Sequence, residues 1–98
     1  MNIGLAIKTV RTRNGMSQEH LSKTSGLSQT SISQIENGVK QPSKKTIGKL
    51  CKVLKVPEAL LYIIGLENTD VPPSRKKMFE QVFPEIKLLA QKLIDEGS

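Results

Sequence analysis

The most recognisable chemical pattern in the chain lies between residues 29 and 37. Ile32 and Ile35 have the spacing of an inward helix face, which leaves four uncharged hydrogen-bonding side chains facing outward: Gln29, Thr30, Ser33 and Gln34. A merely solvated face more often carries Lys and Glu, and this face carries neither. A glutamine amide both donates and accepts, which suits the N6/N7 edge of adenine. The pattern therefore favours recognition through hydrogen bonds.

Side chains that enzymes use are scarce and isolated. His20 is the only histidine and Cys51 the only cysteine. No Ser-His-Asp set and no metal-ligand cluster accompanies His20, and no glycine-rich phosphate loop occurs. Cys51 follows Leu50 on a predicted helix, which indicates a small packed side chain. We therefore expect no catalytic activity, no metal and no cofactor.

Positive charge is concentrated in the first part of the chain. The net charge is +6, but residues 1–55 carry ten basic and only two acidic residues, whereas residues 56–98 carry five basic and seven acidic residues. A segment this basic is typical of polyanion binding, because neutralised phosphates release counterions. A lysine-rich surface that serves only solubility would give the same count, so charge alone leaves both interpretations open.

The length of 98 residues fits a single small domain. Aromatic residues make up only 3%, which argues against a stacking platform for single-stranded nucleic acid. The longest apolar run, residues 59–64, is far shorter than the roughly 20 residues of a membrane span. The first residues lack the pattern of a signal peptide. We expect a soluble, cytoplasmic protein.

Capping and turn residues divide residues 1–65 into short helices. Ser17, Ser28 and Ser43 each precede a helical pattern, where a serine hydroxyl can accept a free backbone N–H. Gly26 and Gly38 stand where helices should end. No alternating β-branched pattern occurs, so no strand is expected. The predicted helices are Ile3–Arg13, Gln18–Ser25, Gln29–Glu36, Lys44–Leu54 and Glu58–Ile64.

The second and third predicted helices are separated only by Gly26-Leu27-Ser28. Two short helices joined by such a glycine-containing turn form a helix-turn-helix. In that motif the first helix contacts the DNA backbone, and the second places its N-terminal side chains in the major groove.

The stretch from Gly15 to Gly38, with the pattern SQxxL…GLSQxxISxxENG and a following proline, resembles the phage-repressor and Cro-like helix-turn-helix regulators of the XRE family. The resemblance covers about residues 3–65. It implies an all-α fold, a lambda-repressor-like five-helix DNA-binding domain, here with an extra C-terminal helical tail. It also implies sequence-specific binding to duplex DNA.

The resemblance further implies two kinds of DNA contact. Base edges would be read by Gln29, Thr30, Ser33 and Gln34. Phosphates would be contacted by Gln18, Asn37, Lys40, Ser43 and Lys44. Arg11 and Glu36 match a pair that ties the first helix to the third, and as an exposed pair it would stabilise the fold by only ~0–1 kcal/mol.

The remainder of the chain divides into a linker, residues 66–73, and a helical tail, residues 74–98. The Pro72-Pro73 pair predicts an extended linker, and Pro84 should interrupt or restart the tail helix. The tail has apolar positions at helical spacing: Phe79, Val82, Phe83, Ile86, Leu89, Ala90, Leu93 and Ile94. This stripe either packs against a second copy of the chain, the favoured interpretation, or folds back onto its own core.

The combined hypothesis is a homodimeric transcriptional regulator, acting as a repressor, that reads an inverted repeat of double-stranded DNA through the major groove. The main alternative is an antitoxin that binds a toxin through residues 74–98 and autoregulates its operon. A restriction–modification controller would have the same sequence features. An RNA-binding adaptor is disfavoured, because side chains cannot read the deep, narrow major groove of A-form RNA.

Overall fold

The computed structural model describes residues 1–97, and within them it contains six α-helices and no strand. The all-α fold class is therefore confirmed. The helices are α1 (Ile3–Arg13), α2 (Gln18–Ser25), α3 (Gln29–Glu36), α4 (Lys44–Leu54), α5 (Glu58–Gly65) and α6 (Lys76–Gly97). The first four have the predicted bounds, and α5 extends one residue further than expected.

Serine caps fix where three of the helices begin. The hydroxyl oxygens of Ser17, Ser28 and Ser43 accept the backbone N–H three residues further on, at 3.0, 3.0 and 3.2 Å. Each of these serines has extended backbone angles, as an N-cap residue requires. Because each cap stands immediately before its apolar pattern, the sequence specifies the starts of α2, α3 and α4 locally.

The core is aliphatic, as the low aromatic content requires. Its most deeply buried side chains come from all of the first five helices: Ile7, Val10, Leu21, Ile32, Leu50, Leu54 and Leu61. Helix α1 is central, since it contacts α3, α4, α5 and α6. Gly4 permits the closest of these approaches, because a Cβ there would lie 2.1 Å from the carbonyl oxygen of Ile35 in α3.

The segment between α5 and α6 is not the extended linker that the proline pair predicted. It contains two 3₁₀ turns, Asn68–Asp70 and Pro73–Arg75. The Glu67 N–H donates to the Asp70 carboxylate at 2.8 Å, and the Asp70 N–H donates to the Glu67 carbonyl at 3.0 Å. These reciprocal bonds satisfy backbone groups that an extended chain would leave to water, and both turns contact α6.

Helix α6 is continuous through Pro84, where the sequence predicted an interruption or a restart. Proline removes one backbone hydrogen bond from a helix. The carbonyl that loses its partner is that of Glu80, and because Glu80 and Pro84 are both exposed, water can hydrate it. The helix packs against α1 and α5. No helix within residues 1–97 combines the length and the apolar character that a membrane crossing requires.

Candidate nucleic-acid interface

The turn between α2 and α3 sets the angle between the two helices. Gly26 ends α2 in the left-handed region, with φ of 77°, a conformation that is unfavourable for residues with a side chain. The Ser22 hydroxyl donates to the Leu27 carbonyl at 2.6 Å, and Ser28 caps α3 directly afterwards. Half-buried Leu27 packs against the core. The turn is thus held by both hydrogen bonds and apolar contact, which fixes the orientation of α3.

Helix α3 separates an apolar face from a polar one. Ile32 and Ile35 are buried, as predicted. The four side chains expected to read bases lie on the other side, and together with Gln18 from the start of α2 they line one shallow depression of about 350 Å³. Gln29, Thr30 and Gln34 are exposed, and Ser33 is half-buried. The structure therefore brings donors and acceptors from two helices onto a single open surface.

A buried carboxylate positions this surface from behind. Glu36 accepts hydrogen bonds from the Arg11 guanidinium at 2.7 and 3.0 Å and from the Gln18 amide at 3.1 Å. Arg11 also donates to the Met16 carbonyl at 2.7 Å. The side chains of Arg11 and Glu36 are only 10% and 1% exposed, so the value expected for an exposed ion pair does not apply. The pair joins α1 to α3, and Gln18 connects it to α2.

The five residues expected to contact phosphate border the depression or follow α3 along the chain. Asn37 is exposed, and its amide donates to the Ser33 hydroxyl at 3.4 Å. Lys40 and Lys44 are exposed. Ser43 caps α4 and donates its hydroxyl proton to Thr46 Oγ1 at 3.0 Å, so its oxygen already has two partners. Gln18 lies in the depression itself.

The start of α4 concentrates positive charge. Lys44 and Lys45 occupy its first turn, which contains no acidic residue. The positive end of a helix dipole points the same way, so these two lysines add to it rather than offset it. That arrangement is unfavourable for an isolated helix and favourable for binding an anion such as a backbone phosphate.

The predicted tail residues separate into three groups. Ala90 and Ile94, which were expected to face a second chain, are buried in the core of their own chain. Phe79 and Phe83 are half-buried and stack on each other, with ring centroids 4.5 Å apart. The four others are exposed on α6: Val82, Ile86, Leu89 and Leu93. One edge of the stripe therefore folds back onto its own core, as the alternative interpretation expected, and the other edge is uncovered.

The two residues with possible reactive chemistry are not assembled into a site. His20 is exposed, and residues 1–97 contain no group of His, Cys, Asp and Glu side chains that could hold a metal ion. Cys51 is buried, and loss of solvation raises the pKa of its thiol to about 11. A thiol in such surroundings stays protonated and unreactive near neutral pH.

Two features of this part of the chain were not predicted. The hydrogen bond from Gln18 to Glu36 joins residues 18 positions apart, and no local pattern signals it. Val39, in the turn after α3, is 75% exposed. The sequence could have indicated this residue, because polar residues normally occupy such turns and Val39 stands between Gly38 and Lys40. Its apolar side chain suits contact with a thymine methyl group.

Together, the capped helix pair, its glycine turn and the polar outer face of α3 define a helix-turn-helix protein. The sequence profile of the helix-turn-helix family matches residues 7–61, more than half of the chain. The chain therefore belongs to the XRE-type helix-turn-helix family, as the sequence pattern indicated.

Two similar proteins are uncharacterised HTH-type transcriptional regulators of Mycobacterium tuberculosis, one from strain CDC 1551 / Oshkosh and one from strain ATCC 25618 / H37Rv. Each is 32% identical to this chain over 60 residues, which is 61% of the chain. The matched part covers 43% of each relative, so the chain spans less than half of their length.

Proposed function

We propose that this protein is a sequence-specific regulator of transcription, a cytoplasmic homodimeric repressor that binds an inverted repeat in duplex DNA. One observation carries the proposal: Gln18 and the four polar residues on the outer face of α3 line a single open surface. An exposed helix face of this kind fits the major groove, which is about 12 Å wide. Family membership and the basic first half of the chain support the same conclusion.

The surface separates base reading from phosphate binding. The side chains at the start and middle of α3 are uncharged and exposed, which suits hydrogen bonds to base edges. Gln29 and Gln34 carry amides that can bind adenine in a bidentate manner. Lys40 and Lys44 follow α3 in the chain and would contact phosphates, which position the protein without reading sequence.

Asn37 and Ser33 have a conditional role in this scheme. In the free protein the Asn37 amide donates to the Ser33 hydroxyl at 3.4 Å, a long and weak bond. DNA can replace it at little cost, with Asn37 donating to a phosphate and Ser33 to a base edge.

The proposal is tested by selecting duplexes from a random pool at about 150 mM salt, near physiological ionic strength. Enrichment of an inverted repeat is the expected result. Two half-sites separated by one helical turn, about 34 Å, would match a twofold-symmetric dimer. Enrichment of no sequence, with only salt-sensitive binding, would refute sequence-specific recognition.

Point variants then separate the two kinds of contact. Gln29→Ala should cost ~1–3 kcal/mol on the selected site and relax discrimination at one base position. Lys44→Ala should weaken all sequences alike and reduce the salt slope by about one unit. Lys77→Ala is the matched control, because Lys77 is exposed on α6 rather than on the proposed interface. Equal loss on all sequences for Gln29→Ala would contradict its role in base reading.

An antitoxin is the second candidate function, and the exposed apolar side chains of α6 favour it, since another protein could cover them. This candidate requires a neighbouring gene for a small protein that forms a defined complex with the chain when the two are produced together. It also requires that mutation of Leu89 and Leu93 to Ser abolish that complex. A stable homodimer formed by the same residues would exclude it.

A further inference from the structure

Helix α6 has two apolar faces, and the fold covers only one of them. Ala90 and Ile94 are 4% and 7% exposed and belong to the core. The uncovered face carries Val82, Ile86, Leu89 and Leu93, the last two more than 60% exposed. Their intervals of four, three and four residues are those of the a and d positions of a coiled coil. This second face, the α6 stripe, has the pattern of a helix-pairing seam.

We propose that the α6 stripe pairs in the antiparallel direction with the α6 stripe of a second copy of the chain. The register places Val82 against Leu93 and Ile86 against Leu89 of the other copy. This inference rests on the homodimer of the proposed function and specifies its interface. The twofold axis would cross the helix pair between residues 87 and 88, so every contact occurs twice, as an isologous interface requires.

Charge supports this register. At 100° per residue, Glu85 and Lys92 flank the α6 stripe on the side away from Ala90 and Ile94. In the antiparallel register Glu85 of each copy faces Lys92 of the other, which gives two opposite-charge pairs. Both residues are exposed, and neither forms an ion pair within the described part of the chain.

A parallel pair would lack this complementarity. In a parallel coiled coil, the g positions beside the seam face the e positions of the other helix. Glu85 occupies a g position and Ala90 an e position, so a parallel pair would place Glu85 against Ala90. Ala90 carries no charge and is already buried in its own chain. The charges therefore favour the antiparallel direction over the parallel one.

The shape of the surface beside the stripe supports the same pairing. An apolar groove of about 410 Å³ lies between α5, the 3₁₀ segment and the first half of α6. Its lining includes Ile63, Leu66, Val71 and Val82. In the proposed register Leu93 of the second copy lies against Val82, at this groove, and would bury the exposed leucine in an apolar environment.

Charge reversal in the full-length protein tests the register. Glu85→Lys and Lys92→Glu each convert two attractive pairs into two repulsive ones, so each should raise the dimer dissociation constant about tenfold. The double variant E85K/K92E restores both pairs and should return to within about twofold of the original value. An equimolar mixture of the two single variants should form heterodimers in preference to either homodimer.

Sedimentation equilibrium measures these constants, and native mass spectrometry counts the heterodimers. Lys77→Glu is the control, because Lys77 lies on a third side of α6 and should change nothing. The variants change exposed side chains, so circular dichroism should show unchanged helix content. Three results would each overturn the register. The single variants dimerise as tightly as the original protein, the double variant fails to recover dimerisation, or the original protein stays monomeric at 100 times the concentration of the DNA-binding assay.

DNA binding distinguishes this failure from failure of the proposed function. If only the register is wrong, the single variants bind the selected inverted repeat as tightly as the original protein does. If the proposed function is wrong, the original protein selects no sequence, even when the charge-reversal results follow the predicted pattern. The expected result is that each single variant dimerises more weakly and binds the inverted repeat more weakly, and that the double variant recovers both.

Discussion

Removal of the Arg11 side chain should destabilise the protein far more than loss of an ordinary surface ion pair. In Arg11→Ala, Glu36 loses two charge-assisted hydrogen bonds, at 2.7 and 3.0 Å, and keeps only the bond from the Gln18 amide. Its carboxylate is 1% exposed, so water cannot replace the lost donors without rearrangement. The variant therefore leaves a buried negative charge without its counterion.

The expected loss follows from that burial. Breaking a buried pair by removing one partner costs ~3–5 kcal/mol, whereas the whole stability of a domain is ~5–15 kcal/mol. We expect Arg11→Ala to lose about a fifth or more of its unfolding free energy. The double variant Arg11→Met/Glu36→Leu removes both charges and should recover most of the loss, because apolar side chains of similar volume can replace a buried pair.

Urea denaturation followed by circular dichroism measures the free energy of unfolding for each variant. Lys23→Ala is the matched control, since its pair with Glu19 spans 3.3 Å between side chains that are 75% and 66% exposed. That control should change stability by less than ~1 kcal/mol. A loss below ~1 kcal/mol for Arg11→Ala as well would show that the buried pair contributes no more than an exposed one and would refute the reasoning.

Three further predictions concern packing, reactivity and pH. Gly4→Ala should be clearly destabilising in urea denaturation, because the new Cβ would lie 2.1 Å from a backbone oxygen of α3. Gly48→Ala meets no atom within 4 Å and should stabilise α4 by ~0.5–1 kcal/mol. Equal effects of the two variants on stability would contradict the close contact at Gly4. Alkylation of the Cys51 thiol at pH 8, measured by mass spectrometry, should be at least ~100-fold slower in the folded than in the urea-unfolded protein, because burial raises the pKa of the thiol to about 11. Equal alkylation rates would place the thiol at the surface. The hydrogen bonds from Arg13 lower the pKa of Asp95, so the stability that this pair adds is present above the unfolded pKa of about 3.9 and is lost as pH falls through the folded value. The difference in unfolding free energy between the original protein and Asp95→Asn should therefore disappear in acid. A difference that persists at pH 2 would contradict the pairing.

The first five helices could be predicted from sequence because their signals are local. A serine cap needs only the next three residues, and a left-handed glycine needs only its own backbone angles. The positions of Ser17, Gly26 and Ser28 therefore specify where α2 begins, where α2 ends and where α3 begins. The outward direction of Gln29 and Gln34 follows from the same local periodicity, since Ile32 and Ile35 define the buried face.

The arrangement beyond α5 depends on contacts that no local pattern contains. Pro84 is tolerated within α6 because it is exposed, and exposure is a property of the packed helix rather than of the sequence window. Ala90 and Ile94 have the same helical spacing as their exposed neighbours, so periodicity alone could not assign them to the core of their own chain. For the same reason, the burial of Glu36 and its bond to Gln18 could not be anticipated from the paired residue types.

Helix α1 connects the two surfaces that the proposed function needs. On one side it holds α3, through the close contact at Gly4 and the Arg11–Glu36 pair. It also contacts α6, where Arg13 donates to Asp95 at 2.6 and 2.9 Å. A flexible linker would let two recognition helices adopt many separations. A tail packed on α1 instead fixes α3 relative to the α6 stripe, so the packing of α1 rather than linker length would set the half-site spacing in the proposed dimer.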